Sequence, residues 1–412
     1  MPITLLHCAD LHLDAMLGDA GRASQLNELS ESERKTLRDA PILALEKMIN
    51  IAIENDVDIV VIAGDIFNSR DGVSSDIRTR AAFTNFLRSL DDENIQVAIA
   101  LGNHDPISSI LELSAPWPKS VHIFSSRAPE TIRINVKDQE VALHGVSYAN
   151  SQESRDLASI FPDRLNGIIN IGVLHTNVGG NENHSNYAPS KIETLTGRGY
   201  DYFALGHIHK RAVLSDHPKV AYSGNTQGLS AKPSECEVKG CVIVEIDEPG
   251  ADVTESFHPT DSVRYASAKI KIPSDIASDD VVATISNDLK TRFNEHAIIH
   301  LCRLEVEIPE IVFDADSLME LINEDRINTI VTSLKLTTEN RGTNEIFASH
   351  PFFEIVESEI ENLQIPSLET AYGKKATALS LLLEDQDIEI KNLREEIRQH
   401  IQKTYFSRSK AL

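Results

Sequence analysis

Short apolar, β-branched runs punctuate the first two thirds of the chain. They are Ile3-Thr4-Leu5-Leu6, Ile59-Val60-Val61-Ile62, Val97-Ala98-Ile99-Ala100, Ile169-Asn170-Ile171-Gly172-Val173-Leu174 and Tyr202-Phe203-Ala204-Leu205. Runs this short, bounded by turn residues, predict buried strands. Helical spacing separates the first of them: Leu37, Leu45, Ile49 and Ile53 follow one stripe, and a helix over 76–90 carries Ile77, Phe83, Phe86, Leu87 and Leu90. From about 121 the pattern shortens to strand-like pieces at 121–124, 131–136 and 141–144, then near 167–174, 201–205, 219–223 and 240–246. This order predicts an α/β fold, with a two-sheet core and outer helices.

The pattern shifts after Phe257-His258-Pro259. A strand is predicted over 264–272, a helix over 279–295, a strand from Leu301 to Ile308 and a helix over 317–332, which together make a small α+β module. From Pro351 the reading is helical. Phe352, Phe353, Val356, Ile360 and Leu363 share a stripe, Ile365-Pro366-Ser367 breaks it, and Ile390, Leu393, Ile397, Ile401 and Tyr405 form another. The expected division is 1–262, 263–345 and 346–412. The last stripe must be covered, by a partner or by the preceding module. Beside it, Lys391, Arg394 and Arg398 read as a solvated helix face.

Bulk composition narrows the class. Apolar content of 41% and charged content of 25% are those of a globular protein, and 412 residues exceed one usual core. Cys8, Cys236, Cys241 and Cys302 form no close pair and read as reduced, buried thiols in a cytoplasmic protein. The opening residues lack a basic start and reach Asp10 early, so no signal peptide is expected, and no apolar stretch is long enough for a membrane span. A net charge of −24 argues against a surface that coats nucleic acid. A local exception is available: two divalent ions held by two carboxylates leave about +2, enough to attract a phosphate.

Five polar clusters follow the five apolar runs: Asp10-Leu11-His12, Gly64-Asp65, Gly102-Asn103-His104-Asp105, His175, and Gly206-His207-Ile208-His209. They fall where α/β sheets place their sites, at the carboxyl ends of strands. Any one of them reads as ordinary turn polarity. Five after five strands read as a ligand set. Mixed carboxylate, imidazole and amide-oxygen donors suit ions such as Mn²⁺. Asp10, His12, Asp65, Asn103, His175, His207 and His209 make seven donors, with a carboxylate able to bridge. Two-ion centres activate water and clamp a phosphoryl group. His7 and His144 lie inside apolar strands and read as core histidines. Cys236 and Cys241 are not expected to be ligands, and Gly179-Gly180 reads as a loop rather than a phosphate cradle.

The ordered set D-x-H, G-D, G-N-H-D, H, G-H-x-H resembles that of the calcineurin-like metallophosphoesterases. Within them, Leu6-His7-Cys8-Ala9-Asp10-Leu11-His12-Leu13 and His184-Ser185-Asn186-Tyr187-Ala188-Pro189 resemble SbcD-type DNA repair nucleases. Tyr222-Ser223-Gly224-Asn225-Thr226-Gln227-Gly228 is similar to the YhaO-like branch. The resemblance covers roughly 1–260. It implies a two-sheet core, a capping module and C-terminal helices. One ion would take Asp10, His12, Asp65 and His209, and the other Asp65, Asn103, His175 and His207. His104 would be the catalytic histidine, protonating or hydrogen-bonding the leaving oxygen. Asp105 would fix its orientation, and His184 would either touch substrate or be a plain loop residue. Asn68 stands where many such nucleases carry His or Asp, which leaves the exonuclease and endonuclease balance open.

The resemblance implies a Mn²⁺-dependent DNA exonuclease or endonuclease, a homodimer, and an SMC-like ATPase partner whose coiled-coil base receives the terminal helices. Two rivals stay open: a phosphodiesterase or phosphatase acting on small molecules or phosphoproteins, and a non-catalytic scaffold on the same fold.

Overall fold

The structure is a computed structural model that describes residues 1–17, 29–68, 77–110, 117–180, 187–277, 280–295, 298–308 and 314–338. Met1–Thr337 forms one compact unit, and the description concerns that unit. His184 and the stripes expected over 346–412 lie outside the described residues.

The strands are β1 (Ile3–Cys8), β2 (Ile59–Ala63), β3 (Gln96–Ala100), β4 (Val121–Ile123), β5 (Glu130–Val136), β6 (Gln139–Val146), β7 (Ile169–His175), β8 (Asn177–Val178), β9 (Pro189–Ser190), β10 (Tyr202–Gly206), β11 (Ala212–Asp216), β12 (Lys219–Tyr222), β13 (Gly240–Ile246), β14 (Thr254–Pro259), β15 (Val263–Lys271), β16 (Ile299–Ile308) and β17 (Thr329–Thr338). The helices are α1 (Glu31–Glu54), α2 (Ile77–Asp92), α3 (Ile107–Ile110), α4 (Ile192–Thr196), α5 (Val281–Arg292) and α6 (Ala315–Glu324).

Two six-stranded sheets carry the core, in the orders β14-β13-β1-β2-β3-β4 and β11-β12-β10-β7-β6-β5. Side chains alternate between the faces of a strand, so each apolar run supplies two surfaces. Ile3 and Leu5, Ile59 and Val61, and Ala98 face Val141 and Leu143, Ile169, Ile171 and Val173, and Tyr202 and Ala204 across the gap between the sheets. The alternate residues Leu6, Cys8, Val60, Ile62, Val97 and Ile99 pack on Leu45, Met48 and Ala52 of α1 and on Phe83, Phe86 and Leu87 of α2. On the far side, Leu174, Phe203 and Leu205 pack with Leu195 of α4. The result is the expected α/β class with helices outside two sheets. Burial on both faces explains why these runs are continuous rather than alternating.

Two of the four edge strands of these sheets escape the apolar pattern. β11 and β14 lie at the outer edges of the two sheets and are half polar, so nothing in their composition marks them as strands.

Residues 263–338 build a three-stranded sheet, β15-β16-β17, covered by α5 and α6 around Ile285, Leu304, Val306, Leu318 and Ile322. The expected helix over 317–332 is corrected here. α6 ends at Glu324, and Thr329–Thr338 is a strand. The Asn323 side chain reverses the chain by giving its amide to the Val331 carbonyl at 3.0 Å and taking the Val331 N–H at 2.8 Å. The β-branched Thr329-Ile330-Val331-Thr332 then suits a pleated strand. The module docks on α1 through Leu37 and Ala40 against Val263, Tyr265, Leu301 and Ile330. The Gln227 side chain clasps the junction, accepting from Ser262 N at 2.9 Å and donating to Val263 O at 2.6 Å.

A charged pair closes the same junction. Glu33 completes the capping box of α1 with Ser30 and also accepts from Arg326 at 3.0 and 3.2 Å. Partial burial raises its carboxyl, but the Arg326 and Ser30 hydrogen bonds outweigh this and hold it at about 2. A depressed carboxyl contributes stability that is full above its unfolded value and is lost as pH falls through the folded one. Arg326→Met is therefore expected to lower stability by about 1 kcal/mol or less at pH 7. In melts of both proteins the difference should shrink between about pH 5 and pH 2. A gap that widened on acidification would contradict this account. No helix among the described residues is long and apolar enough to cross a membrane.

Candidate metal centre

Parallel pairing aligns the strand ends. β1, β2 and β3 run side by side in one sheet, and β7 and β10 in the other. Asp10, Asp65 and Asn103 leave the first set, and His175 and His207 end or follow the second. Backbone bonds tie the turns together. Asp10 N donates to Gly64 O and His12 N to Asp65 O, each at 3.0 Å. His207 N donates across the sheets to the Asp10 carboxylate at 3.0 Å. Asp10, His12, Asp65 and His207 all take positive φ, at 51, 42, 53 and 103°. Left-handed backbone at non-glycine residues costs on the order of 1–3 kcal/mol each and persists where the surroundings enforce it. Here it turns each side chain inward.

One ring proton can be assigned. His175 Nδ1 lies 2.8 Å from Ala63 O, which only accepts, so Nδ1 carries a hydrogen. Its Nε2 is turned to Asn103 Oδ1 at 3.1 Å, Asp65 Oδ2 at 3.5 Å and His207 Nδ1 at 3.2 Å. On the other side, His209 Nδ1 faces the Glu235 carboxylate at 2.5 Å. That leaves His209 Nε2 aimed at His12 Nε2 at 3.2 Å and Asp10 Oδ1 at 3.9 Å. In both halves imidazole nitrogens and carboxylate or amide oxygens converge, a set that fits a divalent ion of the kind that takes imidazole and carboxylate together. Asp10, Asp65 and His175 bring donor atoms within 4.8 Å of one another, as do Asp10, His12 and His209. The seven expected donors thus lie together where the carboxyl ends of the two sheets adjoin.

The two carboxylates differ. Burial raises the Asp10 carboxyl, with the His209 and His175 imidazoles opposing. Burial also works against Asp65, but His175, His12 and His104 outweigh it and hold Asp65 below the ordinary carboxylate range. Asp65 Oδ1 accepts from His104 N at 2.9 Å, so Oδ2 is the oxygen left facing both His12, at 3.9 Å, and His175, at 3.5 Å.

Glycines make room for this. A Cβ on Gly102 would run into Asp65 Oδ1, and one on Gly64 into the His175 ring. Gly102→Ala is expected to push the Asp65 carboxylate aside and weaken metal binding by about tenfold or more. Calorimetric titration with Mn²⁺ checks it, and unchanged affinity would show that the Asp65 position is not critical.

His104 stands at the rim, half-buried, with its ring perpendicular to that of His12 at 4.9 Å. Its orientation differs from the expectation. Asp105 does not touch the ring; its carboxylate accepts from Gly102 N at 2.9 Å, Ile66 N at 2.5 Å and Phe67 N at 3.4 Å, and so binds the β2 and β3 turns together. Burial and the nearby Asp65 push the Asp105 carboxyl up to about 6. The partner of His104 Nδ1 is the backbone carbonyl of Asn68, at 2.9 Å. Asn68 therefore acts through its main chain, and its own N–H donates to Asp14 Oδ1 at 2.5 Å.

Glu235 is the functional residue that the sequence pattern misses. It sits in a single 3₁₀ turn, Pro233–Glu235, 26 residues from His209, and is one acidic residue among 63. Neither spacing nor an apolar run marks it. Burial raises its carboxyl, but hydrogen bonds from His209 and Asn225 and the Lys239 charge bring it to about 2.

The model of the calcineurin-like phosphoesterase family matches residues 3–211, just over half of the chain. The chain belongs to this family. Calcineurin-like phosphoesterases use divalent metal ions, which agrees with the donor set. The chain is also 30% identical over 272 residues to an uncharacterized metallophosphoesterase, YhaO, of Bacillus subtilis, covering 66% of this chain and 63% of that protein. It is 26% identical over 238 residues to a DNA double-strand break repair protein, Mre11, of Methanocaldococcus jannaschii (55% and 60%). To the Mre11 of Thermoplasma acidophilum it is 24% identical over 261 residues (60% and 65%). The chain thus spans a little under two thirds of the length of each relative.

The two strand histidines and the four cysteines fit plain roles. His7 bonds the Tyr202 hydroxyl at 2.8 Å and Leu205 O at 3.2 Å, and burial lowers it to about 3. His144 is satisfied by Thr131 at 2.8 Å and Asn170 at 3.1 Å. All four cysteines are free thiols; Cys236 is only half-buried, because its 3₁₀ turn lies at the surface.

Proposed function

We propose that this phosphoesterase is a Mn²⁺-dependent DNA nuclease that hydrolyses phosphodiester bonds at a two-ion centre, as the nuclease subunit of a complex with an SMC-like ATPase. The convergence of seven donors with His104 beside them carries the hydrolase reading. The similarity to two proteins named for DNA double-strand break repair supports DNA as substrate. Divalent ions in such a site supply Lewis-acid activation and offset phosphate charge.

The chain's own residues do the rest. Asp65 Oδ2 is placed between His12 and His175 and so suits a shared ligand. Asp10, His12 and His209 complete one half, and Asn103, His175 and His207 the other. With Nδ1 committed to the Asn68 carbonyl, His104 has Nε2 to offer the substrate. A protonated Nε2 can hydrogen-bond a phosphate oxygen and pass its proton to the departing 3′-oxygen. A net charge of −24 leaves duplex binding to a partner that contributes cationic surface.

Initial rates with Mn²⁺ and with Mg²⁺ on bis-p-nitrophenyl phosphate, single-stranded DNA and long duplex test the proposal. Mg²⁺ demands octahedral oxygen coordination, whereas four imidazoles suit softer ions, so Mn²⁺ should be favoured by about tenfold or more. Equal rates in the two metals would count against the ligand set. Cleavage of the small diester with none of DNA would favour a small-molecule phosphodiesterase, and no cleavage of any would favour a scaffold. Comparing ATPase capture by the full chain and by a chain cut after Gln364 tests the partner.

A further inference from the structure

Each ring that faces the centre has a second nitrogen, and those second nitrogens are treated unequally. His175 Nδ1 meets a neutral carbonyl, Ala63 O, at 2.8 Å. His12 Nδ1 is buried and meets no hydrogen-bond partner among the described residues. His209 Nδ1 meets a full carboxylate, Glu235, at 2.5 Å. A carboxylate behind a ligating histidine makes the ring a better donor and commonly alters metal affinity by about 10–100-fold.

Glu235 is held for this. Its side chain is 7% exposed, and its other oxygen accepts from Asn225 Nδ2 at 2.8 Å and Leu229 N at 3.1 Å. Asn225 is in turn bridged to Ala9, one residue before Asp10. The Lys239 ammonium donates to His209 O at 2.6 Å and to Ser234 O at 2.5 Å, so one cation ties the His209 turn to the Glu235 turn. Joining the two turns does not need a buried carboxylate aimed at an imidazole, since Lys239 already joins them through backbone carbonyls.

Resting on the two-ion reading above, we propose that Glu235 is a positioning residue that strengthens the half of the centre already favoured by the Asp10 carboxylate. It holds the His209 ring through Nδ1, with Nε2 turned to the centre, and adds negative charge behind that ring. The half built by Asp10, His12 and His209 then fills first, and the half built by Asn103, His175 and His207 second.

Mn²⁺ titration of the full chain by calorimetry, with anomalous diffraction from crystals holding one equivalent, tests this without recourse to activity. The first equivalent should lie between His12 and His209 rather than between His175 and His207. In Glu235→Gln the tighter step should weaken about 10–100-fold while the weaker step moves by less than about threefold. Equal occupancy of both halves at one equivalent, the opposite order, or equal loss at both steps in the variant would overturn the proposal. The filling order is read in the unsubstituted protein, so it stands even if the variant fails to fold. Failure of the nuclease reading itself would show differently, as ordered metal binding without phosphodiester cleavage.

Discussion

Asp65→Asn is expected to remove metal binding and phosphodiester cleavage together, with the rate falling by about 10³-fold or more. The reason is directional. His104 N–H donates to Asp65 Oδ1, so an amide at this position must turn its oxygen toward that N–H. Its NH₂ then points where Oδ2 now faces His12 and His175. A carboxylate acceptor common to both halves is replaced by a donor, and the nearby rings lose the charge that balances a cation. The fold should persist but lose some stability, because a carboxylate held below its ordinary range contributes stability at neutral pH that an amide does not. The metal-free variant should melt cooperatively, somewhat below the metal-free parent. Elemental analysis after dialysis against Mn²⁺, with melts of both proteins, decides the matter. Full occupancy of both ions in the variant would refute a shared role for Asp65.

His104→Ala should reduce cleavage by about 10²–10⁴-fold and leave metal content unchanged. The ring makes its fixed contact with the Asn68 carbonyl and stands at the rim, perpendicular to His12, rather than among the converging donors. Its atoms nevertheless lie within reach of His12 and Asp65, so a ligand role is a distinct outcome. The two readings separate cleanly. A catalytic His104 costs rate at full occupancy, whereas a ligating His104 costs an ion. An activated diester, whose leaving group needs no proton, should recover most of the lost rate only in the first case.

The candidate donors could be picked out along the chain because each cluster follows an apolar run. Asp10-Leu11-His12 and Gly206-His207-Ile208-His209 carry their chemistry in the local sequence, and parallel pairing in each of the two sheets aligns the strand ends. The core histidines were legible for the same reason: His7 and His144 interrupt apolar strands. Glu235 was not. It acts from a 3₁₀ turn remote in sequence, and its contact with His209 exists only once the second sheet has folded back on the first. Asp105 was visible as a carboxylate beside the site, but its partners, the amides of Gly102, Ile66 and Phe67, are fixed by the approach of two turns.

Hydrophobic alternation and local residue order therefore determined the α/β class, the strands buried on both faces and the donors. Those properties depend on spacing along the chain alone, since a strand's two faces repeat every second residue. The tertiary structure decided which nitrogen of His175 and His209 turns to the centre, because that depends on what lies behind the ring: a carbonyl for His175, a carboxylate for His209. It decided that Asn68 serves through its backbone, where side-chain identity carries no information. It also ended α6 early, since the Asn323 side chain competes with helix propagation only when Val331 returns beside it. Hydrogen bonds between residues far apart in sequence leave no periodic trace in it, and those bonds set the chemistry of this site.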